Sequence, residues 1–269
     1  MMEFIRLARK RGAIADVLHI LFNLLLAGMM VLLVMIFPDT PWPALVLLLL
    51  SKWRTVAVRP RYWWMNIISS LPDLVFGASI ILLMWLAGQN AILDGGWAFI
   101  PQIILGIIYA VWLIWLKPKT DKKWVFWQAG ISQFFAMSAI FSLASRLPLI
   151  ATVALAFIVA FGTARHIFTQ FEEDSQTFLA LIYGFLVSVI AFAAWHWTVG
   201  YSLSSLGFGS TLLEIPQVAI IISTLGFAME RIYDAHETSS IKWATVGWPL
   251  VVSGMIIFLV SIIGGAMFV

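Results

Sequence analysis

Long apolar runs alternate with short polar gaps along the whole chain. The runs cover 15–37, 41–58, 63–88, 97–116, 124–144, 147–166, 177–199, 211–230 and 243–268. A helix that crosses a bilayer needs about 20 predominantly apolar residues, in a range of roughly 17–25. Within the hydrocarbon, helices satisfy their own backbone polar groups. The pattern therefore predicts an all-α polytopic transmembrane helix bundle of about nine spans, with 1–269 as a single transmembrane domain. The second run is the weakest, because its purely apolar part, 42–50, contains Pro43 and is closed by Lys52.

The gaps carry a sidedness. Of the sixteen Lys and Arg residues, all but Arg146 lie in or beside gaps that nine crossings place on one face. These are Arg6, Arg9, Lys10 and Arg11; Lys52, Arg54, Arg59 and Arg61; Lys117, Lys119, Lys122 and Lys123; Arg165; and Arg231 and Lys242. Cytoplasmic loops retain Lys and Arg, so the expected orientation is N-terminus in, C-terminus out. If 41–58 dipped in from outside without crossing, Lys52, Arg54, Arg59 and Arg61 would all be external. Spanning keeps them inside, with lysine stems snorkelling to the interface. Asp39, Asp94, Arg146 and the Gly/Ser-rich stretch 200–210 fall outside. The fourteen tryptophans cluster near run ends, as two interfacial belts require.

Composition agrees. The chain is 62% hydrophobic and 11% charged over 269 residues, where soluble domains carry roughly 25% charged residues. The net charge of +3 is spread over short loops. It matches topology and anionic lipids at the inner face better than nucleic acid. There is no Cys, which excludes disulfides, thiolate catalysis and Cys-ligated metals. The basic N-terminus before a long apolar run, without a small-x-small cleavage site, reads as an uncleaved anchor helix.

Small residues recur every four positions at Ala156, Ala160 and Ala164 in the sixth run and at Ala180, Gly184 and Ser188 in the seventh. Gly106 and Ala110 repeat the spacing in the fourth. Such stripes let helix backbones approach closely, so the sixth and seventh helices are expected to pack tightly. No internal repeat is visible.

Asp73 is the residue that most invites a functional reading. It follows Pro72 and lies ten residues past Trp63, about 15 Å into the third run, near mid-bilayer. A carboxylate there costs on the order of 3 kcal/mol and must face the interior, pair, or be protonated. With His19 and Asn23, one turn apart on the first run, and Gln133 on the fifth, Asp73 is the candidate substrate or proton site. Gln128, Ser132 and Gln102 are further polar positions of the same kind. The alternative use of these groups is ordinary interhelical hydrogen bonding. Arg146 and Glu214 are the candidate structural ion pair outside, with Glu214 suited to a helix N-terminus. His196, between Trp195 and Trp197, reads as an interfacial histidine.

Two internal acidic groups each include a histidine: His166 with Glu172, Glu173 and Asp174, and Glu230, Asp234 and Glu237 with His236. Oxygen-rich clusters suit hard cations. Pairing with nearby Arg and Lys is the simpler use, and no metal site is assigned. HExxH, GxSxG and phosphate-cradling glycine loops are absent. No catalytic residue and no cofactor is expected, and no lysine deep in the last run supports a retinal Schiff base.

The segments Ser51-Lys52-Trp53-Arg54, Val58-Arg59-Pro60-Arg61, Trp112-Leu113-Ile114-Trp115-Leu116-Lys117-Pro118 and Ala164-Arg165-His166-Ile167-Phe168 resemble those of uncharacterised multi-pass membrane proteins of ultrasmall, reduced-genome epibiotic bacteria. The resemblance implies a polytopic protein of the bacterial plasma membrane and no particular activity.

Three functions fit these readings. The first is a transporter or channel-like protein for a small solute or lipid, using Asp73 as a protonatable group. The second is a non-catalytic membrane scaffold or subunit of a membrane complex, with another membrane protein or a second copy as partner. The third, an intramembrane enzyme, requires at least two of His19, Asp73 and His196 to meet. A polar cavity reaching Asp73 separates the first from the second.

Overall fold

The computed structural model describes residues 2–53, 57, 59, 63–89, 99–171, 175–197, 199–202, 214–238 and 242–266. Asp94, the acids 172–174 and most of 200–210 fall outside the described residues. Among the described residues are nine α-helices: α1 Met2–Ile36, α2 Trp42–Ser51, α3 Trp63–Gly88, α4 Phe99–Val111, α5 Lys122–Ser142, α6 Leu149–Phe168, α7 Gln176–Trp195, α8 Gln217–Glu237 and α9 Trp248–Ala266. A π-helical turn, Trp112–Leu116, continues α4, and another, Trp243–Gly247, precedes α9. Each helix falls on one of the nine apolar runs.

Six segments are long and apolar enough to cross a membrane: Ile14–Ile36, Asn66–Gly88, Phe99–Leu116, Leu149–Phe168, Gln176–Trp195 and Trp243–Ile263. The chain thus has the make-up of a multi-pass membrane protein. Helices α2, α5 and α8 fall short of that standard, each for its own reason. Helix α2 has ten residues, about 15 Å of rise, or half the hydrocarbon thickness. Its helix ends at Ser51, well before the expected residue 58. Helix α5 carries Gln128, Ser132, Gln133 and Ser138, and all four are buried. A helix enclosed by other helices has no need of an apolar surface on every side. Helix α8 is displaced toward the C-terminus from the expected 211–230 and ends in the polar sequence around Glu237.

That displacement has a local cause. Residues 214–216 form a strand, paired antiparallel with Gly200–Ser202 in the register Gly200↔Pro216, Tyr201↔Ile215 and Ser202↔Glu214. Pro216 then caps α8 in an extended conformation (φ −64°, ψ 134°), which its ring imposes readily and which an N-cap adopts. Glu214 is therefore a strand residue and not the helix-opening acid expected from the sequence.

The bundle has two cores. One gathers α1–α4 around Met30, Phe76, Ile80, Met84 and Tyr109. The other gathers α5–α8 around Met137, Ala156, Ala160, Ala180 and Ile222. Helices α3, α5 and α6 join them. Phe76 meets Phe135 edge to face at 5.3 Å, and Gly162 gives the Leu71 side chain room against α6. The α6–α7 pairing is the most extensive in the fold, and its small-residue stripes are covered as expected, with Ala156, Ala160 and Ala180 fully buried. A Cβ on Gly184 would lie 3.0 Å from the Phe157 ring. Helix α9 packs on α8, where the carbonyl of Val260 accepts from Tyr201 Oη (2.6 Å) and Gln217 Nε2 (3.0 Å).

Candidate functional site

Helices α2, α3 and α4 converge on Asp73. Lys52, the C-cap of α2, donates to Asp73 Oδ2. Lys117, which follows the π-helical turn of α4, reaches the same oxygen at 2.7 Å. Trp112 Nε1 donates to Oδ1 at 3.0 Å. The side chains of Lys52 and Asp73 are 12% and 13% exposed, and that of Lys117 is 42% exposed. Burial pulls the Lys117 ammonium down, but the adjacent carboxylate outweighs it and holds its pKa above the ordinary lysine value.

These partners set Asp73 nearer to the basic end of α4 than to its middle. Lys117 comes directly after Leu116, the end of the apolar part of α4, and Asp73 lies seven residues past Asn66, where the apolar part of α3 begins, about 10 Å along the helix. Packing also reassigns Trp112. It is 3% exposed and stacks on Phe76 at 4.0 Å, so it is no belt residue. Its indole N–H is a ligand of the carboxylate.

The backbone around the site is irregular on both sides. Pro72 removes a donor from α3, and the carbonyl of Pro72 accepts from Ser132 Oγ at 2.8 Å. At the end of α4, Lys117 N closes a wide turn onto Trp112 O at 2.8 Å. Gln128 Nε2 donates to the carbonyls of Leu116 and Lys119, both at 2.8 Å, satisfying acceptors that a helix end leaves open. His166 Nε2–H donates to Gln128 Oε1 at 3.2 Å. Lys119 lies over the rings of Trp115 (3.9 Å) and Trp124 (3.5 Å).

The other sequence candidates lie elsewhere. His19 and Asn23 sit on the uncovered side of α1, where the Asn23 amide donates to the His19 ring (3.1 Å) and to the His19 carbonyl (2.9 Å). They do not meet Asp73. Gln133 faces the second core instead. It accepts from Thr163 Oγ1 at 2.9 Å and donates to Tyr183 Oη at 2.7 Å and to Ile222 O at 3.3 Å, linking α5, α6, α7 and α8. Arg146 and Glu214 are not paired among the described residues. The Arg146 guanidinium lies over Trp85 (5.4 Å), and Glu214 accepts through its main chain from Ser142 Oγ (3.2 Å), because its strand points it away from a helix N-terminus. His196 is exposed at the end of α7 and packs edge to face on Trp195 and Phe192. In the acidic group of α8, Asp234 pairs with Lys122 (2.5 Å) and Glu230 with Arg231 (3.6 Å).

An apolar cleft of about 570 Å³ lies between α6 and α7, lined by Leu149, Ile150, Val153, Phe157, Ser188 and Phe192 among others. It contains no ionisable group.

The partners of Asp73 were not legible as such. Lys52 and Lys117 stood out as topology markers and Trp112 as a belt residue, and nothing in their spacing links α2, α3 and α4. No family model, curated protein or solved structure matches this chain.

Proposed function

We propose that this chain is a multi-pass protein of the bacterial plasma membrane, N-terminus inside and C-terminus outside, that acts as a non-catalytic scaffold or subunit of a membrane complex. One observation carries the reading. The polar groups that a transport pathway would use are committed to helix–helix bonds: Asp73 to Lys52, Lys117 and Trp112, Ser132 to Pro72, and Gln133 to Thr163, Tyr183 and Ile222. A carboxylate whose oxygens accept from two ammonium groups and an indole serves as a tie between helices.

Nine crossings are supported by where α2 begins and ends. Trp85 Nε1 and Gln89 Nε2, at one end of α3, both donate to Pro38 O at 2.8 Å, just before α2. Lys52, just after α2, meets Asp73. From Asp73 to Gln89 is sixteen residues, about 24 Å of helix. The chain between Pro38 and Lys52 thus runs back along α3 over most of a hydrocarbon core of about 30 Å. Because the chain has no Cys, a single Lys123→Cys variant reports sidedness without background. A membrane-impermeant thiol reagent should label it only after cells are opened. Labelling of intact cells would reverse the orientation.

A transporter is the second reading, favoured by the irregular backbone at Pro72 and Trp112–Leu116 beside a charged cluster, the kind of interruption that membrane ion sites use. Flux in proteoliposomes separates the two. Under the scaffold reading, a pH gradient drives no proton uptake above empty vesicles, and Asp73→Asn changes nothing. Proton flux that Asp73→Asn abolishes would establish transport.

A further inference from the structure

We infer that the Lys52–Asp73–Lys117 cluster is a binding site for the headgroup phosphate of an anionic phospholipid of the inner leaflet. The inference rests on the proposed orientation, and it names a ligand that the scaffold reading does not.

The charges at the site do not balance. Two ammonium groups converge on one carboxylate oxygen, and among the described residues neither lysine is paired with a second acid. The cluster carries one net positive charge at a place where Lys52 and Asp73 are largely withdrawn from solvent. Partly buried cations are stabilised by an anion more strongly than exposed ones, because the field there is less screened. Lys117 is the open side, and each ammonium has three donors of which the carboxylate takes one. A phosphodiester supplies a single negative charge and acceptor oxygens, which matches the excess.

Position selects a lipid over a soluble anion. The apolar part of α4 ends at Leu116, immediately before Lys117. Trp53 and Trp115, 63% and 53% exposed, stand beside the two lysines in sequence. Indole rings of this kind favour the headgroup level. An anion approaching Lys117 between such residues arrives from the membrane surface. Two neighbouring cations are used differently: Lys122 of α5 by Asp234 at 2.5 Å, and Lys119, just before α5, by the Trp115 and Trp124 rings.

The test is native mass spectrometry of the full chain in a neutral detergent, titrated separately with dioleoyl-phosphatidylglycerol and dioleoyl-phosphatidylcholine. Retention of one phosphatidylglycerol per chain in preference to phosphatidylcholine is expected. Lys117→Gln should weaken that binding roughly fivefold, the effect of about one lysine at an anionic surface. Lys123→Gln, at an exposed position outside the cluster, should leave it unchanged. Asp73→Asn should strengthen it, because the carboxylate that competes for both ammonium groups is gone. A cluster with a purely structural role predicts no such gain. The inference is overturned by any of four results: no preference for phosphatidylglycerol, equal weakening by Lys123→Gln, weakening in folded Asp73→Asn, or displacement of the lipid by inorganic phosphate. If Asp73→Asn is not recovered folded, the comparison of Lys117→Gln with Lys123→Gln decides. Loss of lipid preference with Lys123→Cys still labelled only from inside would reject the headgroup site and leave the orientation standing.

Discussion

Asp73→Ala should destabilise the fold by about 3 kcal/mol, measured by denaturant titration in mixed micelles. Breaking a buried ion pair by removing one partner costs roughly 3–5 kcal/mol, because the remaining charge is left without compensation. The lower end applies here, since Lys117 is 42% exposed and can turn toward water. Lys52 cannot do so as easily at 12% exposure, and Trp112 Nε1 loses its acceptor in a site where the indole is 3% exposed. The same reasoning gives the lysines unequal weight. Lys52→Met alone should cost about 1 kcal/mol, because Asp73 keeps Lys117 and Trp112 and an apolar side chain of similar length fills the space. In the Asp73→Ala background, Lys52→Met should recover a good part of the loss by removing the stranded cation. If the two losses simply add, Lys52 and Asp73 are not coupled in the folded chain, and the convergence of α2 on α3 is wrong.

This cluster marks the boundary of what the sequence could disclose. Each of the nine described helices overlaps one apolar run, and α3 begins and ends where its run of 63–88 does. The α6–α7 pairing follows from the four-residue spacing of Ala156, Ala160, Ala164, Ala180 and Gly184. In each case the information is local: one run, or one stripe on one helix face. The site is assembled from three helices whose contributions are 21 and 39 residues from Asp73 along the chain. Hydropathy says which residues leave water but not which neighbours they find. Trp112 was misread for a related reason. A tryptophan marks an interface only when its ring is free to stand there, and Trp63 and Trp112 look alike in sequence until packing buries only Trp112. Helix α5 shows the converse. Its low apolarity, which argues against a lipid-facing span, records enclosure by α3, α6 and α8. The strand at Glu214 was hidden because Pro216 can open a helix either directly or after an extended segment.

Gln133→Leu should cost about 2 kcal/mol while leaving the Asp73 cluster intact. Gln133 is 4% exposed and is the node through which α5 bonds α6, α7 and α8. Single interhelical hydrogen bonds in membranes average about 0.6 kcal/mol, so three separate bonds would account for most of the figure. What they leave behind matters as well. Thr163 Oγ1 has an alternative acceptor in Val159 O at 3.0 Å and loses little. The carbonyl of Ile222 lies inside α8 and is served by its own helix. Tyr183 Oη has no such fallback among the described residues, and a buried hydroxyl without a partner costs roughly 1–3 kcal/mol. The loss should therefore concentrate on the Gln133–Tyr183 bond. Tyr183→Phe alone should cost about 1 kcal/mol, and in the Gln133→Leu background it should cost almost nothing, since the stranded hydroxyl is then removed. Gly226 offers an independent check, because a Cβ there would lie 2.7 Å from Tyr183 Oη and 3.3 Å from Gln133 Nε2. Gly226→Ala should push the two apart and reproduce much of the Gln133→Leu loss in the wild-type background, yet add little once Gln133 is Leu. Full additivity of Gln133→Leu and Tyr183→Phe would remove Gln133 as the bond that holds α7 to α5, and with it the picture of an interior whose polar groups serve to fasten helices.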